Sequence, residues 1–228
     1  MKRLTKRQMG EMLKAVIFDC DGVIAESEIS RFRHLKKLAE EKGHFGLDEK
    51  KHLKFLIGHT SKGLLQKVFG EKMNWQVMDE IVNKRRQAWE DSPEKFLTEI
   101  KGIREVCEKL AKEYTLAVAS TAARKTVEAT LRHLNLGKYF KLIMTAGEVK
   151  NVKPDPEIYR ETIKRLGLKS SECIVVEDSE TGIAAAKKAG IKVVALRNTF
   201  YEEHDYTPDL SGADIVIEEI TDWLKIVS

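Results

Sequence analysis

The chain has 228 residues, 42% of them hydrophobic and 33% charged, with a formal net charge of +4 at pH 7. That length suits one large domain, or one domain carrying an insert, with ample room for a buried core. Met1-Lys2-Arg3-Leu4-Thr5-Lys6-Arg7 supplies all of the +4, so the remainder is near neutral and no broad basic face for nucleic acid is expected.

In chain order, residues 1–11 read as a basic N-terminal extension, a solvated tail. Val16 to Phe18 is a short apolar run that suits a fully buried strand, and it ends in Asp19-Cys20-Asp21-Gly22. The segment 27–98 then reads as all helix. Its apolar stripes are Leu35, Leu38 and Ala39, then Leu65, Val68 and Phe69, then Met78, Ile81, Val82, Arg85 and Trp89. Trp75, Met78 and Trp89 are expected to pack together inside this insert, and Ser92-Pro93 marks its exit.

From residue 102 onward helix and strand alternate. Ile103, Val106, Cys107 and Leu110 make an amphipathic helix, and Thr115 to Ala119 a buried strand ending at Ser120. A helix carrying Val127, Leu131 and Leu134 follows, with Gly137 as its stop signal. Lys141 to Thr145 is a short strand, and Pro156 opens a helix striped by Tyr159, Ile163 and Leu166. Cys173 to Val176 is a buried strand ending in Glu177-Asp178. Gly182 to Ala189 is a small-residue helix closed by Gly190. Val193 to Leu196 and Ile215 to Ile217 are the last strands, and the acidic stretch Tyr201 to Tyr206 between them reads as an exposed loop. Repeated βα units imply a parallel sheet covered on both faces. The expected fold is therefore α/β: a Rossmann-like core of residues 12–26 and 99–228, with an all-helical cap, 27–98, inserted over the sheet's C-terminal edge.

Open parallel sheets bind ligands at that edge. Asp19 and Asp21 arrive there together, since extended residues i and i+2 point the same way. Two like charges in one space require a cation, a proton or both. Glu177 and Asp178 end a second strand, Ser120 a third, and Lys153 lies in the loop before Pro154-Asp155-Pro156. Such an oxygen-rich set suits Mg²⁺, which takes a few carboxylates and completes its shell with water and phosphate. Lys153 and Ser120 add a positive charge and a donor for a phosphoryl group. Cys20 lies between the acids, but alternation turns its side chain away from them, as a small packing residue. Three scattered cysteines, Cys20, Cys107 and Cys173, form no disulfide framework, which favours a reduced, cytoplasmic setting. No apolar run approaches the roughly 18 residues of a membrane span, so no membrane partner is expected. No histidine pair has metal-ligand spacing, and His34, His59 and His204 read as surface residues.

These residues resemble the haloacid dehalogenase-like hydrolase superfamily, whose motifs occur in order along nearly the whole chain. They are Asp19-Cys20-Asp21-Gly22-Val23-Ile24, then Ser120, then Lys153-Pro154-Asp155-Pro156, then Val176-Glu177-Asp178-Ser179 running on to Gly182. The helical insert is similar to the cap of the subgroup with phosphoglycolate phosphatase and β-phosphoglucomutase. The resemblance implies Asp19 as nucleophile, forming an aspartyl-phosphate, and Asp21 as general acid and then base. It implies Mg²⁺ held by Asp19, the Asp21 carbonyl and Asp178, with Glu177 a further or water-mediated ligand. Ser120 and Lys153 would steady the phosphoryl oxygens, Gly22 would turn the backbone beside the phosphate, and the Cys20 and Thr121 positions belong to the same phosphate-binding loops.

Dehalogenases lack the second Asp, so Asp21 favours phosphoryl chemistry. The second motif reads Ser120-Thr121-Ala122, where relatives often place Asn after the hydroxyl residue. Gly58 to Lys67 looks like the cap specificity loop of a β-phosphoglucomutase, the alternative reading. The arginine expected there is replaced by Ser61 or Lys62, and Arg31 stands where that enzyme's histidine is expected, ten residues past Asp21. Arg31, His59 and Lys62 are the candidate substrate contacts. The expectation is a Mg²⁺-dependent hydrolase of a small phosphorylated metabolite, a monomer or small homo-oligomer. A non-catalytic binding protein on the same fold is the reading from another class.

Overall fold

A computed structural model describes residues 13–56, 60–202, 204 and 206–227. At its centre β1, Ala15–Phe18, is buried along its whole length. It pairs in parallel with β4, Thr115–Ser120, on one side and with β6, Cys173–Glu177, on the other. Outside these lie β5 (Phe140–Thr145), β7 (Lys192–Leu196) and β8 (Ile215–Ile217), giving a six-stranded parallel sheet in the order β5-β4-β1-β6-β7-β8. Alternation divides β1 between two cores. Val16 and Phe18 face one cluster with Val118 and Val176; Ala15 and Ile17 face the other with Ala117 and Val175. Covering both faces explains why these strands read as unbroken apolar runs.

A tight turn follows β1, in which the Cys20 carbonyl accepts the Ile24 and Ala25 amides at 2.9 and 3.1 Å. The next two residues form β2, Ala25–Glu26, antiparallel to β3, Thr98–Glu99. This ribbon brackets the helical segment. Between its strands run α1 (Glu28–Glu41), α2 (Glu49–Leu56), α3 (Ser61–Phe69) and α4 (Trp75–Asp91). They enclose their own apolar cluster, built on Phe32, Leu35, Leu64, Leu65, Met78 and Ile81. Thr60 and Asn74 cap α3 and α4, accepting the amides of Gly63 and Val77.

After β3 come α5 (Ile103–Leu110), α6 (Arg124–His133), α7 (Glu157–Leu166), α8 (Glu180–Lys188), α9 (Thr199–Glu202) and α10 (Asp222–Val227), interleaved with the strands. Three local readings are corrected. Helix α6 ends at His133, with Asn135 at a φ of 53°, so Asn rather than Gly137 supplies the left-handed residue that closes it. Trp75 is 63% exposed, while Trp89 leaves the insert's cluster, packs with the sheet-side core and donates to Thr130 Oγ1 at 3.2 Å. The stretch after β7 is not an exposed loop: it contains α9, and Tyr201 is completely buried against the insert's cluster. No described helix is long and apolar enough to cross a membrane.

Candidate active site

The Asp19 amide donates to the Val176 carbonyl at 2.9 Å, extending the β1 ladder one residue past the strand and fixing where its carboxylate starts. Beyond it Gly22 adopts a φ of +82°. A Cβ there would lie 1.7 Å from Asp178 Oδ2, so only glycine lets the turn approach that carboxylate. Asn198 donates to the Gly22 carbonyl at 3.2 Å and holds the turn from the end of β7.

Lys153 is the buried counter-ion of the site. Its Nζ donates to Asp19 Oδ1 at 2.5 Å, Glu177 Oε1 at 2.7 Å and the Ala119 carbonyl at 2.9 Å. An ammonium has three protons, so all are used. Glu177 is equally saturated: Oε1 also accepts Tyr159 Oη at 3.0 Å, while Oε2 accepts the Asp178 amide and both the amide and hydroxyl of Ser179. Helix α8 begins close against it, for a Cβ on Gly182 would lie 1.7 Å from Glu177 Oε1. Asp178 Oδ2 accepts the Tyr201 hydroxyl at 2.7 Å.

Two of the three buried carboxylates therefore share one ammonium, and Asp178 has none among the described residues. Burial pushes the Asp19 carboxyl up to about 7, against the pull of Lys153. Burial, then the charges of Glu177 and Asp19, push Asp178 well above the usual carboxylate range. Burial acts on Glu177 too, but Lys153 and the Ser179 bonds outweigh it and hold it below its ordinary value. Burial alone would push Lys153 down, but Asp19 and Glu177 hold it well above its ordinary value. Asp19, Glu177 and Asp178 each offer an oxygen within 4.8 Å of the others. An all-oxygen donor set with excess negative charge, around a cavity of about 10 Å³, fits one small hard cation such as Mg²⁺.

Asp21 lines the same cavity, with Thr121, Lys153 and the metal-side acids. Ser27 donates to Asp21 Oδ1 in a short hydrogen bond, and Arg31 Nη1 lies 4.0 Å from Oδ2. Arg31 also pairs closely with Glu28, whose carboxyl burial pushes up to about 8 against that arginine. A second cleft, of about 130 Å³, opens from Asp21 and Thr121 toward the insert, where Arg31, Ser61, Lys62 and Arg85 line it.

Most of the candidate residues thus meet. Asp19, Asp21, Thr121, Lys153, Glu177 and Asp178 share one cavity, and Gly22 packs beside it. Ser120 is buried at the end of β4, its hydroxyl accepting the Ala122 amide at 3.1 Å. Lys62 stands on the cleft wall, tied to Asp79 at 2.6 Å. His59 lies outside the described residues. The Cys20 thiol continues the Val16 and Phe18 face into the apolar core, as alternation predicts. Sequence reasoning missed Ser27, Glu28, Arg85, Ser179 and Tyr201. Arg85 had a signal, a guanidinium within an apolar stripe. Tyr201 had none, because its partner Asp178 lies far back in the chain.

Residues 16–196 match the family model described as haloacid dehalogenase-like hydrolase. The chain is 34% identical over 184 residues to the phosphorylated carbohydrates phosphatase of Thermotoga maritima, covering 79% of this chain and 83% of that one. It is 26% identical to the pyrophosphatase PpaX of Bacillus cereus strain AH820, over 95% of this chain and 97% of the relative. The fold matches a crystal structure of β-phosphoglucomutase from Clostridium difficile with a TM-score of 0.79 and 23% identity, over 94% of this chain and 96% of that one.

Proposed function

The chain belongs to the haloacid dehalogenase-like hydrolases and is a phosphatase, and from that premise we propose that it hydrolyses a small phosphorylated metabolite through a phosphorylated Asp19. The observation that carries this reading is the convergence of Asp19, Asp21, Lys153, Glu177 and Asp178 on one cavity at the C-terminal end of the central strands.

In this reading Asp19 attacks phosphorus, and the bond to the leaving oxygen breaks as that oxygen takes a proton from Asp21. Water then attacks the aspartyl-phosphate, giving its proton to Asp21 and releasing inorganic phosphate and free Asp19. The Ser27 bond to Oδ1 leaves Oδ2 of Asp21 for the proton. Lys153 holds Asp19 in place and faces the developing charge on the phosphoryl oxygens, with Thr121 beside it and Ser120 anchoring the turn. Asp19 and Asp178 would hold Mg²⁺, with Glu177 orienting both through Lys153 and the Asp178 amide. When bound, the metal offsets the repulsion between an anionic nucleophile and an anionic phosphate.

The helical segment 27–98 acts as a cap whose residues select the substrate, with the β2–β3 ribbon as its hinge. The name of the Thermotoga maritima relative favours a phosphorylated carbohydrate. Three buried, unpaired cysteines support a reduced, cytoplasmic setting. The test is inorganic phosphate release from a panel of small phosphomonoesters, with Mg²⁺ and with EDTA, for wild type and Asp19→Asn. Metal-dependent release lost in the variant is expected. Equal release by both proteins would refute the nucleophile, and no release by either would refute the reading.

A further inference from the structure

Arg85 has no role in the chemistry above, yet its placement is costly. It lies on the apolar face of α4 with Met78, Ile81 and Trp89, and is only 9% exposed. Its Nε–H has no acceptor, and among the described residues no hydrogen bond or ion pair to Arg85 is found. The acids whose charges act on it are engaged elsewhere, Asp21 with Ser27 and Glu28 with Arg31. Arg31 stands close enough that the two cations repel. That repulsion adds to burial, and together they bring the Arg85 guanidinium down to about 10, still charged at neutral pH. A buried cation without a partner is rare in a finished fold and marks a place for an anion from outside.

The place is the cleft of about 130 Å³ that opens from Asp21, where Arg31, Arg85 and Thr126 form the inner wall and Lys62 and Arg86 also line it. Lys62 and Arg86 have partners in Asp79 and Asn83. The cleft is smaller than the roughly 300 Å³ of ordinary drug-sized sites, which suits a compact metabolite. Because it starts at the acid that protonates the leaving oxygen, it receives the leaving group and not the transferred phosphoryl.

We propose that the Arg31–Arg85 wall of this cleft is a subsite for a second anionic group of the substrate, a phosphate or carboxylate carried on the leaving group. The inference rests on the phosphatase reading and narrows it: substrates are compact and doubly anionic. Guanidinium is the suitable donor, since its planar fork matches both carboxylate and phosphate.

Two matched pairs test it. In 1,3-propanediol bisphosphate against 3-hydroxypropyl phosphate the second group is a phosphate. In 2-phosphoglycolate against 2-hydroxyethyl phosphate it is a carboxylate. For wild type, kcat/KM should favour the doubly anionic member of at least one pair by tenfold or more, and the pair that shows it identifies the anion. Arg85→Gln should cut that preference about tenfold, and Arg85→Lys should restore part of it. No preference in either pair, or an Arg85→Gln loss equal for both members, would overturn the subsite. If Arg85→Gln does not fold, the wild-type ratio and Arg85→Lys decide. If no compound is turned over, the phosphatase reading fails, and calorimetric binding of the same pairs to Asp19→Asn protein, with and without Arg85→Gln, still decides the subsite.

Discussion

Replacing Lys153 by Met removes the ammonium while keeping length and apolar bulk. Lys153 is almost wholly buried and makes ion pairs of 2.5 Å with Asp19 and 2.7 Å with Glu177. Breaking a buried pair by deleting one partner costs about 3–5 kcal/mol, because the remaining charge stays buried and unpaired. With 228 residues the unfolding entropy is about 0.5 kcal/mol/K, so this loss lowers Tm by about 6–10 °C. Scanning calorimetry in EDTA reads that drop directly. In saturating Mg²⁺ part of it should return, since a cation among Asp19, Glu177 and Asp178 relieves the same repulsion. Phosphate release should remain at least about 100-fold below wild type, because the positive charge that holds Asp19 and faces the cavity is gone. A drop of under about 2 °C in EDTA would show that Lys153 is not the counter-ion holding these acids together, and the charge argument for the site would fall with it.

Tyr201→Phe deletes the hydroxyl that donates to Asp178 Oδ2 and should raise the Mg²⁺ concentration for half-maximal activity about tenfold or more; an unchanged value would reduce Tyr201 to packing. Gly182→Ala places a Cβ 1.7 Å from Glu177 Oε1 and should destabilise by about 3 kcal/mol by urea unfolding, whereas a neutral effect would mean that α8 shifts freely. Glu148 tests the pH dependence away from the site. Burial opposes its ionisation, but bonds from Arg165, Arg124 and Thr145 hold the carboxyl below its ordinary value. The folded state then binds fewer protons than the unfolded one around pH 4, so this contribution is present above the unfolded pKa and disappears as pH falls through the folded one. Glu148→Gln should therefore lose about 1–3 kcal/mol at pH 7 and converge with wild type near pH 3. A gap that persists in acid would assign the effect to packing.

The strands and their order of appearance were legible because each is a run buried on both faces. Val16 to Phe18 and Cys173 to Val176 admit little else between their flanking turns. The acids at the ends of those strands were legible for the same reason, since a strand ending in the core can deliver a carboxylate only at the sheet's edge. The Cys20 side chain was legible too, since period-two alternation turns it into the core behind the acids. What stayed hidden depends on contacts across the chain. Tyr201 reaches Asp178 from another element, and an acidic stretch looked like surface until burial of its aromatic residue became visible. Trp75 and Trp89 share one helix but not one environment, because α4 runs beyond the insert's own cluster and its end packs against the sheet side.

By itself the sequence determined a parallel α/β core, a helical insert and the acids that end the central strands, since periodicity and strand ends are local properties. Only the tertiary structure decided how those charges are balanced. Lys153 satisfies two acids from a distant loop, Glu177 is saturated by its own helix start, and Arg85 is left, among the described residues, without a hydrogen-bond or ion-pair partner on the buried wall of a cleft. Charge balance in a buried site is a sum over neighbours, and neighbours are set by packing.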